Sequence, residues 1–150
     1  MSIWPSIERS RGRLREEHGT IRKVGAAPVS VALAFPNVYK VGMAGLGFQI
    51  IYRLLNSRED TLCERVFYPD GEDLPLFASS GRLFTMESER PVANFTVLAF
   101  SLSFEMDIPR LLRMLTMSGL PLRASDRGPE HPLVMVGGPV VTFNPEPLAE

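Results

Sequence analysis

Val29–Tyr52 reads VSVALAFPNVYKVGMAGLGFQIIY, and the order of residue types in it decides the fold. Val29, Val31, Leu33 and Phe35 make an apolar, β-rich run of strand length. All of Val31 to Phe35 is apolar, as expected of a parallel strand covered on both faces. Pro36 cannot donate to a sheet ladder, so the strand ends there. Pro36–Gly45 then reads as a loop, and Gly42, Gly45 and Gly47 lead into a helix over Gly45–Ser57. Leu46, Ile50 and Leu54 fall on one line of that helix, and Phe48, Ile51 and Leu55 on the adjoining one. Strand, glycine-rich turn and helix open a βαβ unit. In such sheets ligands settle in the crevice outside the carboxyl ends of the strands, which is where Pro36–Gly45 lies.

The rest of the chain reads as strands brought alongside this one. Thr61–Tyr68, TLCERVFY, is a second strand, with Cys63 as a small core residue and Glu64 and Arg65 pointing to an exposed or edge position. Pro69–Arg90 is a long polar connection with a short helix near Leu74–Ser79, pinned to the sheet by Leu76, Phe77, Leu83 and Phe84. Asp70, Glu72 and Asp73 lack the spacing of a calcium loop and read as a solvated acidic turn. Phe95–Leu102, FTVLAFSL, is a central strand. Asp107 caps the next helix, with Pro109 in its first turn and Ile108, Leu111, Leu112 and Leu115 as its buried stripe. Leu133–Val136 is the fourth strand, Gly137-Gly138-Pro139 ends it, and Val140–Phe143 continues extended. Right-handed crossovers turn this order into an α/β fold: an open, mainly parallel Rossmann- or flavodoxin-like sheet with helices on both faces.

Composition narrows the function classes. At 150 residues and 45% hydrophobic, the chain can bury one sizeable core. A net charge of −1 gives no electrostatic footprint for nucleic acid. A single cysteine excludes an internal disulfide framework and a cysteine metal cluster. No apolar run reaches the roughly 18–20 residues of a membrane span, and the N-terminus lacks the apolar core of a signal peptide. These features point to a cytoplasmic protein with neither nucleic acid nor membrane as partner.

Residues 1–28 read as a basic arm, with Arg9, Arg11, Arg13, Arg15, Arg22 and Lys23 interleaved with acids. Trp4, Ile7, Leu14 and Ile21 are spaced too loosely to predict a helix there. At the other end, Pro145–Glu150 looks like the first turn of a helix, so a fragment of a longer protein is expected.

Three loops meet at the carboxyl edge of this predicted sheet and supply the candidate cofactor-binding residues. The first contributes Asn37, Tyr39, Lys40 and Gly42, the third strand Ser101 and Ser103, and the fourth Gly137 and Gly138. Small and hydroxyl residues let a flat or phosphorylated ligand approach the backbone, Lys40 suits a phosphate or carboxylate, and Tyr39 can stack. The plainer alternative is that glycines after strands only make tight turns. No G-x-G-x-x-G and no P-loop occurs, and two histidines in loops assemble no Ser-His-Asp or Cys-His set. No catalytic residue and no metal ligand is nominated.

Four stretches carry a further likeness: VALAFPNVYKVGMAGLGFQIIYRLLN, CERVFYPD, LAFSLSFEMDIPRLLRML and VMVGGPVVTFNPEPLAE. In order, and across nearly all of Val29–Glu150, they resemble the N-terminal region of a family of radical S-adenosylmethionine (radical SAM) proteins. In that family a cobalamin-binding-like domain precedes the radical domain. The resemblance implies a cobalamin-binding-like α/β domain over residues 29–150 and an accessory role. It implies that a 4Fe-4S cluster and S-adenosylmethionine belong to a downstream radical SAM domain, held there by a C-x-x-x-C-x-x-C motif. With Cys63 as its one cysteine, this sequence does not carry that motif. It also implies cobalamin as the cofactor of this domain, facing Ser101, Ser103, Gly137 and Gly138.

The methionine-synthase-like module, however, carries D-x-H-x-x-G after its first strand, and here the loop reads Pro36-Asn37-Val38-Tyr39-Lys40-Val41-Gly42. Either cobalamin binds without a histidine on its cobalt, or the domain has kept the fold and lost the cofactor. Two alternatives stay open: a non-catalytic docking domain for the radical barrel or a substrate, and a flavodoxin-like nucleotide-binding protein.

Overall fold

The structure is a computed structural model and describes residues 3–149. Met1 and Ser2 of the basic arm and Glu150 of the expected terminal helix lie outside the described residues. The elements are α1 (Trp4–Glu16), β1 (Val29–Phe35), α2 (Tyr39–Ala44), α3 (Leu46–Asn56), β2 (Thr61–Phe67), α4 (Leu74–Ser80), β3 (Val97–Ser101), α5 (Ile108–Met117), β4 (Leu133–Gly137) and α6 (Pro139–Phe143).

The four strands form one parallel sheet in the order β2-β1-β3-β4. The order reverses between β1 and β3, so the topological switch point lies where their carboxyl ends part. Register fixes the faces, because residues paired across parallel strands point the same way. One face carries Ala32, Ala34, Val66, Leu98, Phe100, Val134 and Val136 and packs under Leu111, Met114 and Leu115 of α5 and Phe77 of α4. The opposite face carries Val31, Leu33, Phe35, Cys63 and Phe67 and packs under Phe48 and Tyr52 of α3. The predicted α/β architecture therefore stands, with a helix layer on each face.

Several elements differ from the sequence reading, each for a physical reason. The N-terminal stretch is helical over α1, and its inward line is Ser6, Ser10 and Leu14, so no apolar stripe announces it. It is tied down by ion pairs from Arg9 to Asp73, Arg13 to Asp70 and Arg11 to Glu89. Asp73 is thereby buried rather than part of a solvated turn. Within the expected loop Pro36–Gly45, α2 forms because Gly42 lets the helix lie against Phe67 and Phe35; a β-carbon there would fall 2.5 Å from a Phe67 ring carbon.

On β2, Glu64 and Arg65 are buried despite the edge position, because both find partners. Glu64 accepts hydrogen bonds from Thr85 and Ser88, and Arg65 pairs with Glu17 and Glu87. Val140–Phe143 is helical rather than extended: Gly138 takes φ +117°, which turns the chain, and Pro139 supplies a helix-ready first residue. Of the expected terminal helix, the described residues Pro145–Ala149 make a single 3-10 turn over Glu146–Leu148.

In α3 the outcome inverts the reading. Its buried face is Phe48, Tyr52 and Asn56, while Leu46 is 71% exposed and Leu54 60%. Asn56 is accepted inside because its amide makes two hydrogen bonds with the Cys63 backbone, at 2.9 and 3.0 Å.

Candidate cofactor cleft

α3 covers β1 and β2 but leaves the same face of β3 and β4 open. At the carboxyl end of that opening lies a cleft of about 480 Å³. Its floor is Leu33, Phe35, Ala99 and Met135, and its α3 wall is Gly45, Gly47, Ile50 and Ile51. The loops after β3 and β4 close its end with Ser101, Ser103, Gly137, Gly138 and Pro139. The volume is ordinary for a small-molecule site, which spans roughly 300–1,000 Å³.

The sequence-derived candidates divide here. Ser101, Ser103, Gly137 and Gly138 converge on the cleft. Asn37, Tyr39, Lys40 and Gly42 do not line it. Asn37 bridges the switch point instead: its amide donates to Asp107 Oδ1 at 3.0 Å, and its own Oδ1 accepts from the Val38 N–H. Arg110 adds a second donor to Asp107 Oδ1, at 2.5 Å, while Oδ2 is buried with no partner among the described residues. Lys40 is exposed on α2. Gly42 is spent on packing against Phe67.

Tyr39 faces the arm. Its hydroxyl donates to Glu17 at 2.5 Å, its ring stands edge-on to Phe67 at 5.3 Å, and Arg13 lies over it. Burial, reinforced by the neighbouring Glu17 carboxylate, pushes the Tyr39 phenol up to about 12. Behind Tyr39, the Arg65 guanidinium donates to Glu17 and to Glu87 and sits 4.6 Å from the Tyr52 ring centre. Burial alone would raise the Glu17 carboxyl, yet hydrogen bonds from Arg65, Tyr39 and Thr20 hold it below the usual value. Burial pushes the Glu87 carboxyl up against the pull of Arg65. This polar knot fastens the arm to the sheet edge and leaves the cleft apolar.

The glycines of the cleft are not equivalent. A β-carbon on Gly138 would overlap the Leu102 carbonyl, and φ +117° suits glycine alone, so packing explains that residue fully. Gly47 and Gly137 have no atom within 4 Å of an ideal β-carbon, so no packing demand requires glycine at either. They leave backbone bare to whatever enters the cleft. Sequence reasoning passed over Gly47 as a binding residue, along with Leu33, Phe35 and Met135. The register Ala99–Met135 and Ser101–Gly137 is the signal that could have found the floor.

Comparison with known proteins decides the family. The family described as radical SAM proteins, N-terminal, matches residues 47–150. The chain belongs to this family. No curated protein and no solved structure matches it. The matched region of this radical SAM N-terminal domain holds α3, β3, β4 and the loops that build the cleft, and begins after β1 and α2. Among the described residues no group of three or more His, Cys, Asp or Glu is placed to hold a metal ion, and no helix is long and apolar enough to cross a membrane.

Proposed function

We propose that this accessory domain of a radical SAM protein holds a corrinoid of the cobalamin class in the cleft at the carboxyl edge of its sheet. One observation carries the reading: small residues from three separate segments, Gly47 at the start of α3, Ser103 in the loop after β3 and Gly137 at the end of β4, gather around one apolar hollow. A corrinoid has a broad flat ring whose faces need apolar contact and close backbone approach. The floor residues Leu33, Ala99 and Met135 suit the ring, the hydroxyls of Ser101 and Ser103 suit its amide side chains, and Gly47 and Gly137 suit the approach.

The lining contains neither lysine nor arginine, which disfavours a mononucleotide held by a terminal phosphate; the single phosphodiester in a corrinoid's tail would lie outside this lining. It also contains no histidine: His131 is engaged with the Gly128 N–H before β4, and His18 lies at the far side of α3 beside Tyr52 and Arg53. A corrinoid in this cleft would keep its cobalt free of protein imidazole. When bound, it would supply radical or group-transfer chemistry at that metal. The residues of this chain would seat and orient it. A 4Fe-4S cluster and S-adenosylmethionine would belong to a downstream radical SAM domain, the natural partner of this one.

The lack of imidazole favours a second reading, in which the cleft docks protein and no cofactor. Gel filtration with hydroxocobalamin separates the two. Co-elution with a shifted visible spectrum supports the corrinoid reading, and no retention at about 50 µM, far above a specific cofactor affinity, rejects it.

A further inference from the structure

The five arginines of the basic arm divide into two sets. Arg9 and Arg13 pair with Asp73 and Asp70, just before α4. Arg11, Arg15 and Arg22 line an open groove of about 930 Å³ between the arm and the turn at residues 85–90. Positive charge is in excess there. Thr20 and Ser88 also line the groove, but their hydroxyls donate to Glu17 and Glu64. Glu87 is engaged with Arg65. Arg15 donates through Nε to the Arg11 carbonyl at 3.3 Å, and among the described residues neither Arg15 nor Arg22 forms an ion pair. Glu8, a turn earlier on α1, acts on Arg11 through space without pairing with it. That leaves Glu89 to answer three guanidiniums. Its carboxylate accepts from Nε and Nη2 of Arg11 at 2.5 and 2.9 Å.

Glu89 reaches Arg11 from a backbone at φ +60°, the one non-glycine residue with positive φ among the described residues. That region is uncommon for a glutamate, and such outliers cluster at functional sites. The turn that imposes it is closed by two hydrogen bonds. The Thr85 N–H donates to the Arg90 carbonyl at 3.0 Å, and the Glu89 N–H to the Thr85 carbonyl at 3.1 Å. Arg11 in turn lies over the Trp4 ring, 5.1 Å from its centre. The hydrogen bond from Arg11, aided by the nearby charges of Arg11 and Arg22, holds the Glu89 carboxyl below its usual value. The carboxylate thus stands among the arginines as a bound anion would.

We infer that this groove binds a small anion bearing two linked phosphates, held by Arg11, Arg15 and Arg22 in place of the Glu89 carboxylate. Charge complementarity carries the argument: three guanidiniums face a single carboxylate, so the matching ligand is polyvalent. Guanidinium forks take phosphate oxygens two at a time. An exposed arginine–carboxylate pair contributes little to stability, so Arg11 can exchange Glu89 for a better anion. Bound there, the ligand ties α1 to the stretch that carries Arg22. The inference is independent of the corrinoid reading, because the groove and the cleft share no lining residue.

Calorimetric titration of the intact chain with inorganic pyrophosphate tests it, in about 20 mM salt, where surface charges are little screened. Saturable binding of one anion per chain is expected. Arg15→Ala and Arg22→Ala, both at exposed positions, are each expected to weaken it about fivefold or more. Arg123→Ala removes the same charge from an exposed position outside the groove and is expected to leave affinity unchanged. Glu89→Gln is expected to bind about threefold more tightly, since the competing charge is gone. Circular dichroism checks that each variant is folded. Tighter binding of ADP assigns the site to a nucleoside diphosphate and equal binding to the bare diphosphate; both uphold the proposal. No saturable binding below about 5 mM overturns it. So does equal weakening by Arg123→Ala, which would reduce the effect to net charge. Weaker binding by Glu89→Gln, or citrate bound as tightly as pyrophosphate, overturns it too.

Discussion

Arg65 and Glu17 are joined by two hydrogen bonds, 3.0 and 2.7 Å long, and this pair stitches the N-terminal helix to the edge strand of the sheet. Both side chains are nearly inaccessible, and Glu87 closes the knot from the other side. Removing one member of a buried pair leaves an uncompensated charge, so Arg65→Leu is expected to lower stability by about 3–5 kcal/mol. Urea unfolding followed by circular dichroism measures the loss, and a change below 1 kcal/mol would show the knot to be ornamental.

The same pair sets a pH dependence whose sign is fixed. Glu17 titrates lower in the folded chain than unfolded, because hydrogen bonds from Arg65, Tyr39 and Thr20 outweigh the opposing effect of burial. A carboxyl held low contributes stability above its unfolded value and loses it as pH falls through the folded value. Glu17→Gln is therefore expected to be less stable than wild type at about pH 7, by on the order of 1–2 kcal/mol. That gap is expected to close as pH falls through the folded value of Glu17, below which the wild-type carboxyl is itself neutral. A gap that is constant from neutral to acid would remove Glu17 from this role.

Gly137 and Gly138 are neighbours with opposite expected tolerance. Gly138→Ala forces a β-carbon into the Leu102 backbone at φ +117° and is expected to cost about 2–3 kcal/mol. Gly137→Ala meets open space in a strand and is expected to stay within about 0.5 kcal/mol of wild type. Paired denaturation curves read both values.

Cys63 is fully buried on β2, and burial pushes its thiol up, away from the reactive thiolate. Treatment of native protein with a disulfide reagent at about pH 8 is expected to label less than a tenth of the thiol in an hour, and addition of denaturant to label all of it. Rapid labelling of the native chain would mean that α3 opens from the sheet.

Much of the fold was legible because β1, β3 and β4 are largely apolar runs closed by proline, glycine or a polar turn. The face each strand presents was less so. Glu64 and Arg65 look like solvent residues until Thr85, Ser88, Glu17 and Glu87 are brought in from distant segments. α1 hid behind Ser6 and Ser10, small polar residues on an inward line. α3 misled in the other direction: its longest aliphatic side chains lie outside, and an asparagine takes the inner position that a leucine would suggest.

The site was half legible. Strand-end glycines and serines point to the cleft, but of the loop after β1 only its last residue, Gly45, reaches it. Its tyrosine and asparagine are drawn to Glu17 and Asp107 by hydrogen bonds that single-sequence spacing does not encode.

The central claim is that the cleft seats a corrinoid. The most direct measurement is a titration of hydroxocobalamin by visible absorbance against three proteins: wild type, Gly137→Leu, which puts a branched side chain into the cleft, and Tyr39→Phe, which lies outside it. The account predicts saturable binding by wild type and Tyr39→Phe alike and at least a tenfold weaker affinity for Gly137→Leu, the equivalent of about 1.4 kcal/mol. Equal affinity in all three, or no binding by wild type, would contradict it.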